Sequence, residues 1–298
     1  MRVANAPCSW GVLEFDLAPA PAPAAQVLDV MASAGYAGTE LGDWGFLPTD
    51  PYALADEVSR RQLALVGAFV PVALASAAAL TEGSDRALRT ARLLADAGAG
   101  DAFVVLSDDN ATVPHRTARA GRITPADGLR ACDWDRFSAR ATAIAAAVRD
   151  AVGMRTVFHH HCAGYVETPQ EIDALMSRTD PSLVGLCLDT GHLTYGGGDP
   201  LVEIAKYGAR IWHVHFKDCS HDVAHRARQK AWDYQTAVRN GIFCELGRGM
   251  VPFADVRDAL QRQRYAGWIV VEQDVLPGLG TPAASATRNR EYLRRIGL

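Results

Sequence analysis

Short apolar runs alternate with amphipathic stretches along the whole chain. Runs over residues 3–8, 38–41, 63–69, 102–106, 156–161, 184–188, 211–215 and 268–271 read as buried strands. Between them, helical spacing of apolar positions covers 24–34, 51–60, 84–97, 135–152, 169–177, 200–207, 252–263 and 283–295. Eight strand–helix units in 298 residues predict an α/β fold, a (β/α)8 TIM barrel spanning 1–298 as a single domain. Cap chemistry agrees. Thr168-Pro169-Gln170-Glu171 and Asp199-Pro200 each place a capping side chain before a proline at the first helical position, and Ser84 and Asp135 can cap the helices that follow them.

Two stretches break the rhythm, 108–132 after the fourth strand and 219–245 after the seventh. Both read as extended βα-loops, the second with a helix over 224–238, and such loops form the catalytic face of a barrel. A doubly wound open sheet is disfavoured because no GxGxxG follows the first strand.

Composition narrows the class. Thirty Lys+Arg against 34 Asp+Glu give a net charge of -4, which argues against a nucleic-acid partner. No apolar run reaches 18 residues and the start does not read as a secretory signal, so no membrane association and a cytoplasmic protein are expected. The six cysteines form no CxxC pair and read as free thiols. A homo-oligomer stays open.

Histidine placement carries the chemistry. His159, His160 and His161 close strand five, Asp189 ends strand six, His213 and His215 lie on strand seven, and Glu272 ends strand eight. Strand ends converge at one mouth of a barrel, and imidazoles with carboxylates there suit a divalent metal such as Mn²⁺, Co²⁺ or Zn²⁺. Alternation puts His159 and His161 on one face and His160 on the other, and makes His215, nearer the strand end, a better ligand than His213. Asp189 can ligate while His192, three residues on, reaches a substrate hydroxyl. Lys217 can bind or protonate a substrate oxygen, and Glu272 can ligate or act as a base. Glu40 can accept hydrogen bonds from a polyol, Trp10 and Trp44 offer walls for a sugar-like ring, and Glu167 reads as a helix-start acid. Gly196-Gly197-Gly198 lacks the Lys and Ser/Thr of a phosphate loop.

The stretches Gly38-Thr39-Glu40-Leu41-Gly42, Phe158-His159-His160-His161, Leu188-Asp189-Thr190-Gly191-His192, His213-Val214-His215-Phe216-Lys217-Asp218 and Gly267-Trp268-Ile269-Val270-Val271-Glu272 together resemble the xylose isomerase-like TIM-barrel superfamily of sugar phosphate isomerases and epimerases. Within it they look most like the inosose (2-keto-myo-inositol) dehydratase branch of inositol catabolism. The resemblance implies a metal site of four strand-end residues from strands five to eight. Carried over, Asp189, His215 and Glu272 match the last three, and His159 takes the place of the usual strand-five acid, with His161 and Glu167 as the other candidates for that fourth position. His192 matches the superfamily's substrate-binding histidine.

The function expected from these residues is a metal-dependent dehydratase, a lyase acting on a keto-polyol such as 2-keto-myo-inositol through an enediolate. His161, His192 and Lys217 are the candidates for proton transfer, with roles not divided among them. Reprotonation of the same enediolate would make a sugar or keto-sugar isomerase or epimerase, the alternative reading. Metal-dependent phosphodiester hydrolysis is disfavoured by the net charge.

Overall fold

The computed structural model describes residues 1–11, 22–77 and 79–298. Eight parallel strands close a barrel: β1 (Arg2–Asn5), β2 (Gly38–Glu40), β3 (Ala64–Val72), β4 (Phe103–Asp108), β5 (Arg155–His159), β6 (Val184–Asp189), β7 (Ile211–Phe216) and β8 (Trp268–Val271). Closure is the pairing of β1 with β8, in register from Arg2↔Trp268 to Asn5↔Val271. Helices wrap the outside, and the outward strand positions (Val104, Phe158, Leu186, Val214 and Ile269 among them) are buried beneath these helices in the main core.

Inward positions follow the two-residue period of a strand, and their chemistry changes with height. The floor is apolar: Ala4, Val66 and Val270 form one buried group, and Phe103, Val105, Val157 and Cys187 another. Above it the same alternation turns polar. β7 carries His213 and His215 inward, level with Cys187 and Asp189 of β6, and β5 carries His159 level with Cys187. The amino ends of the strands thus supply packing and the carboxyl ends supply titratable groups.

Helix starts are as expected where a cap and a proline coincide. Thr168 and Glu171 form a capping box ahead of Pro169–Met176, and the Asp199 side chain accepts from Leu201 N at the head of Pro200–Tyr207. Two expected starts move. The helices expected from Ser84 and Asp135 begin earlier, as Ala79–Asp96 and Ala131–Val152, so those two residues sit inside helices rather than capping them. The first strand is also shorter than expected. It ends at Asn5, and Pro7–Trp10 forms a 3-10 turn. The stretch 108–132 holds a short helix, Pro114–Arg119, and a turn at Pro125–Asp127. The helix expected over 224–238 is two helices, His221–Gln229 and Tyr234–Arg239, broken where Ala231 takes a positive φ of 48°. A two-stranded ribbon, Asp218–Cys219 with Phe243–Cys244, closes that loop's base. No helix among the described residues is long and apolar enough to cross a membrane.

Candidate active site

The carboxyl mouth of the barrel opens into a cavity. His159, His161, Lys217, Glu272, Glu40, Phe69, Tyr234 and Asp274 are among the described residues lining it.

Four of the expected residues meet at its floor. His159, Asp189, His215 and Glu272 each offer one ligand atom, all within 4.8 Å of one another. Nδ1 of His215 lies 3.0 Å from Oε1 of Glu272 and 3.9 Å from Oδ2 of Asp189, and Nε2 of His159 lies 3.6 Å from that same Oδ2. Both nitrogens of His159, Oδ2 of Asp189 and Nδ1 of His215 are buried with no hydrogen-bond partner among the described residues. Buried polar atoms are ordinarily paired, so a cluster of unpaired lone-pair donors turned on one another has the donor set that a divalent cation needs. Burial lowers the His159 pKa to about 3, which keeps it a neutral donor. Burial would raise Glu272, but His215 and Lys217 outweigh it and hold the carboxyl well below its ordinary range.

Glu40 lies below this cluster. Its Oε1 accepts from Nε2 of His213 at 2.8 Å and from Nε2 of His215 at 3.0 Å. Burial pushes the Glu40 pKa up, the two histidines outweigh it, and the value falls to about 2. With Nε2 of His215 turned to this carboxylate, Nδ1 is the ring nitrogen that faces the cluster. Glu40, expected to meet a polyol, lines the cavity with its Oε1 engaged by two histidines.

In a second group His161 lines the cavity and His192, which is not among its lining residues, packs against it. The ring centroids of His161 and His192 lie 3.8 Å apart. Both are tied to one residue, Cys162: its carbonyl lies 2.7 Å from Nδ1 of His161, and its N–H donates to Nδ1 of His192 at 3.3 Å. Nδ1 of His161 faces both that carbonyl, which accepts, and the amide nitrogen of Asn110 at 2.8 Å, which donates, with the same amide 3.2 Å from Nε2. His192 faces a donor on each side, the Cys162 N–H at Nδ1 and the Lys217 ammonium at Nε2. The Cys162 loop is braced from behind. Ala163 has a positive φ of 69°, and its N–H donates to Glu167, whose other oxygen accepts from Gly121 N at 2.7 Å. Glu167 therefore faces away from the metal-like cluster. Arg116 completes the brace with a buried ion pair to Glu171 at 2.7 Å and a hydrogen bond to Gly164 O at 2.8 Å.

Lys217 reaches the cavity from just past β7. Its Nζ lies 3.1 Å from Oε2 of Glu272, 3.4 Å from Asp274 and 3.3 Å from Nε2 of His192. Burial opposes its charge, but Asp274, Glu272 and Asp189 outweigh burial and hold its pKa well above the ordinary value. The neighbouring Gly191 is required: a Cβ there would lie 2.6 Å from Cγ of Lys217. His160 points away from the cavity group and accepts from Asp189 N at 3.2 Å.

The two tryptophans lie elsewhere. Trp10 is buried and donates to Oδ1 of Asn5 at 2.7 Å, and Trp44 is exposed beneath the Arg89 guanidinium. Neither lines the cavity among its described residues. Three lining or neighbouring groups lay outside the sequence reading. Asp274 follows Glu272 by two, so the same alternation that singled out Glu272 extends to it. Asn110, with its amide nitrogen 2.8 Å from Nδ1 of His161, and Asp43 come from loops, where no periodicity marks them.

The sequence profile of the xylose isomerase-like TIM barrel family matches residues 28–296. The chain belongs to that family. An inosose dehydratase of Geobacillus kaustophilus is 33% identical over 271 residues, which is 91% of this chain and 86% of that protein. The rhizopine catabolism protein MocC of Rhizobium meliloti is 33% identical over 296 residues, 99% of this chain and 88% of its own length. Among solved structures, a probable 3-DHS dehydratase of Bacillus anthracis superposes with a TM-score of 0.70 at 12% identity, covering 99% of each chain. A D-allulose 3-epimerase of Methylomonas sp. superposes with a TM-score of 0.70 at 16% identity, over 99% of this chain and 96% of that one. These likenesses are to the fold.

Proposed function

We propose that the protein is a metal-dependent hydro-lyase that dehydrates a keto-polyol of the 2-keto-myo-inositol kind. The observation that carries the reading is the His159–Asp189–His215–Glu272 cluster beside His161, Lys217 and the His192 ring that both of them touch. The inosose dehydratase relatives, similar over nearly the whole chain, supply the substrate class.

His159, Asp189, His215 and Glu272 would hold a divalent cation, which would supply Lewis acidity toward the substrate ketone. The rest of the chemistry is assigned to side chains. His161, which lines the cavity, takes the proton from the carbon alpha to the ketone. Lys217 and His192, in contact through Nζ and Nε2, supply the proton to the hydroxyl on the next carbon, which leaves as water. One C–H and one C–O bond break, one C=C bond forms, and the resulting enol tautomerises to a dione. The Lys217 ammonium stabilises negative charge on oxygen during proton loss, in a buried setting that strengthens it.

Epimerisation or isomerisation is the competing reading. Epimerisation needs bases on opposed faces of one carbon, whereas here the two histidines stand side by side and the Glu272 and Asp274 carboxylates are both occupied by Lys217. The test is incubation of Mn²⁺-loaded protein with 2-keto-myo-inositol and with a panel of ketoses. Appearance of an ultraviolet-absorbing dione is expected. Sugar interconversion without loss of water would move the assignment to an isomerase or epimerase.

A further inference from the structure

The cavity is charged unevenly, and one of its carboxylates is unused. Glu40, Asp43, Glu272 and Asp274 line it against a single ammonium, that of Lys217. Three of these acids are committed within the protein: Glu40 to His213 and His215, Glu272 to His215 and Lys217, Asp274 to Lys217. Asp43 differs. It lies on the rim, it is exposed, and among the described residues its carboxylate has no partner.

Its position is built into the backbone. β2 ends at Glu40, whose side chain faces the barrel interior, and the chain then turns outward through Gly42. Gly42 has a φ of +72°, and a Cβ there would lie 2.8 Å from Cβ of Pro7. Only glycine satisfies both conditions, and the turn delivers Asp43 to the cavity mouth rather than to the flank of the barrel. The walls near it are apolar or weakly polar, from Pro7, Cys8, Phe69 and Tyr234.

An ionised carboxylate at the cavity mouth is acceptor-only, with two oxygens able to take two hydroxyl donors at once. Charge-assisted hydrogen bonds of this kind are stronger than neutral ones. We propose that Asp43 is a specificity-determining residue that binds hydroxyls of the substrate remote from the reacting carbons, and that it selects an uncharged polyol over a phosphorylated or carboxylated one. The inference rests on the functional reading above and narrows its substrate class. A phosphate ester would bring dianionic charge into a lining already rich in carboxylate, with the one ammonium engaged. Asp43 touches none of the residues assigned to proton transfer or to the cation, so its contribution falls on binding rather than on the chemical step.

The experiment measures binding without turnover. Calorimetric titration of the Mn²⁺-loaded protein with myo-inositol, which has no ketone, and with myo-inositol 1-phosphate is compared for wild type, Asp43→Asn and Asp43→Ala. Wild type is expected to bind myo-inositol saturably and the phosphate at least tenfold more weakly. Asp43→Ala is expected to weaken myo-inositol about tenfold and to narrow the gap between the two ligands, with metal content and unfolding midpoint unchanged. In dehydration assays the same variant is expected to raise KM and leave kcat. Unchanged myo-inositol affinity in Asp43→Ala, absent binding to wild type, or wild-type preference for the phosphate would overturn the assignment. Loss of polyol affinity in Asp43→Ala, in a protein that never forms the dione, would leave Asp43 standing and remove the dehydratase reading alone.

Discussion

Oε1 of Glu40 lies 3.0 Å from Nε2 of His215, across 175 positions of sequence, while the opposite edge of the same ring faces Asp189 and Glu272. The carboxylate therefore fixes which nitrogen of His215 faces the cluster. Partners of this kind typically change metal affinity by about 10–100-fold when altered. Glu40→Gln keeps the shape but removes the charge that orients two imidazoles. It is expected to weaken Mn²⁺ binding by about tenfold or more, read by titration, with circular dichroism unchanged. Wild-type affinity in the variant would show that Glu40 serves packing alone.

The four-residue cluster is tested by removing its members one at a time. Asp189→Ala and Glu272→Ala are each expected to abolish metal retention after gel filtration and to abolish turnover. His159→Ala discriminates further, because strand five is where an acid would ordinarily be expected. If His159 is a ligand, its loss lowers metal content like the others; if it only lines the wall, metal content stays and KM rises. Chelation of the wild-type protein is expected to stop turnover, and added Mn²⁺, Co²⁺ or Zn²⁺ to restore it to different extents.

Most of this architecture was legible because it follows from periodicity. Strand ends at His159, Asp189, His215 and Glu272 are buried on a two-residue alternation, so barrel closure brings them together however far apart they lie in the chain. What escaped depends on tertiary accidents. Asp43 and Asn110 belong to loops, whose paths no alternation dictates. Trp10 and Trp44 looked like ring walls by composition, yet one is sequestered by Asn5 and the other lies beneath Arg89. The contacts of His161 and His192 with the main chain of Cys162 carry no sequence signal of their own. The helix expected over 224–238 broke because Ala231 had to turn left-handed, a demand of the fold and not of alanine.

Lys217 and Gly191 form a unit, since the side chain of one occupies the space where the other has none. Lys217→Met removes the ammonium beside Glu272 and His192. It is expected to lower kcat/KM by roughly 10²–10⁴-fold while metal is retained. Gly191→Ala leaves every functional group in place but presses on Cγ of Lys217. A displacement of that order can cost about 10²-fold in rate. Steady-state kinetics on both variants check the pair: a strong effect of Lys217→Met with none of Gly191→Ala would mean that the lysine's position is not held by this contact.

Asp108, at the end of β4, gives a pH-dependent test of stability away from the metal-like cluster. Its carboxyl is buried, accepts from Tyr165 N at 2.9 Å and Leu74 N at 3.2 Å, and is pushed up by burial to about 7. A raised carboxyl pKa means that between the unfolded value of 3.8 and about 7 the folded chain holds a proton the unfolded chain releases. Its contribution to stability is therefore present below pH 4 and is lost as pH rises through 7, at up to about 1.4 kcal/mol per pH unit for the one proton. Asp108→Asn cannot titrate. Urea unfolding of wild type and variant from pH 4 to pH 8 is expected to give a stability difference that shifts steadily in favour of Asp108→Asn as pH increases. A difference that is flat across that range would show that Asp108 is already ionised at pH 4 and that its two backbone donors outweigh its burial.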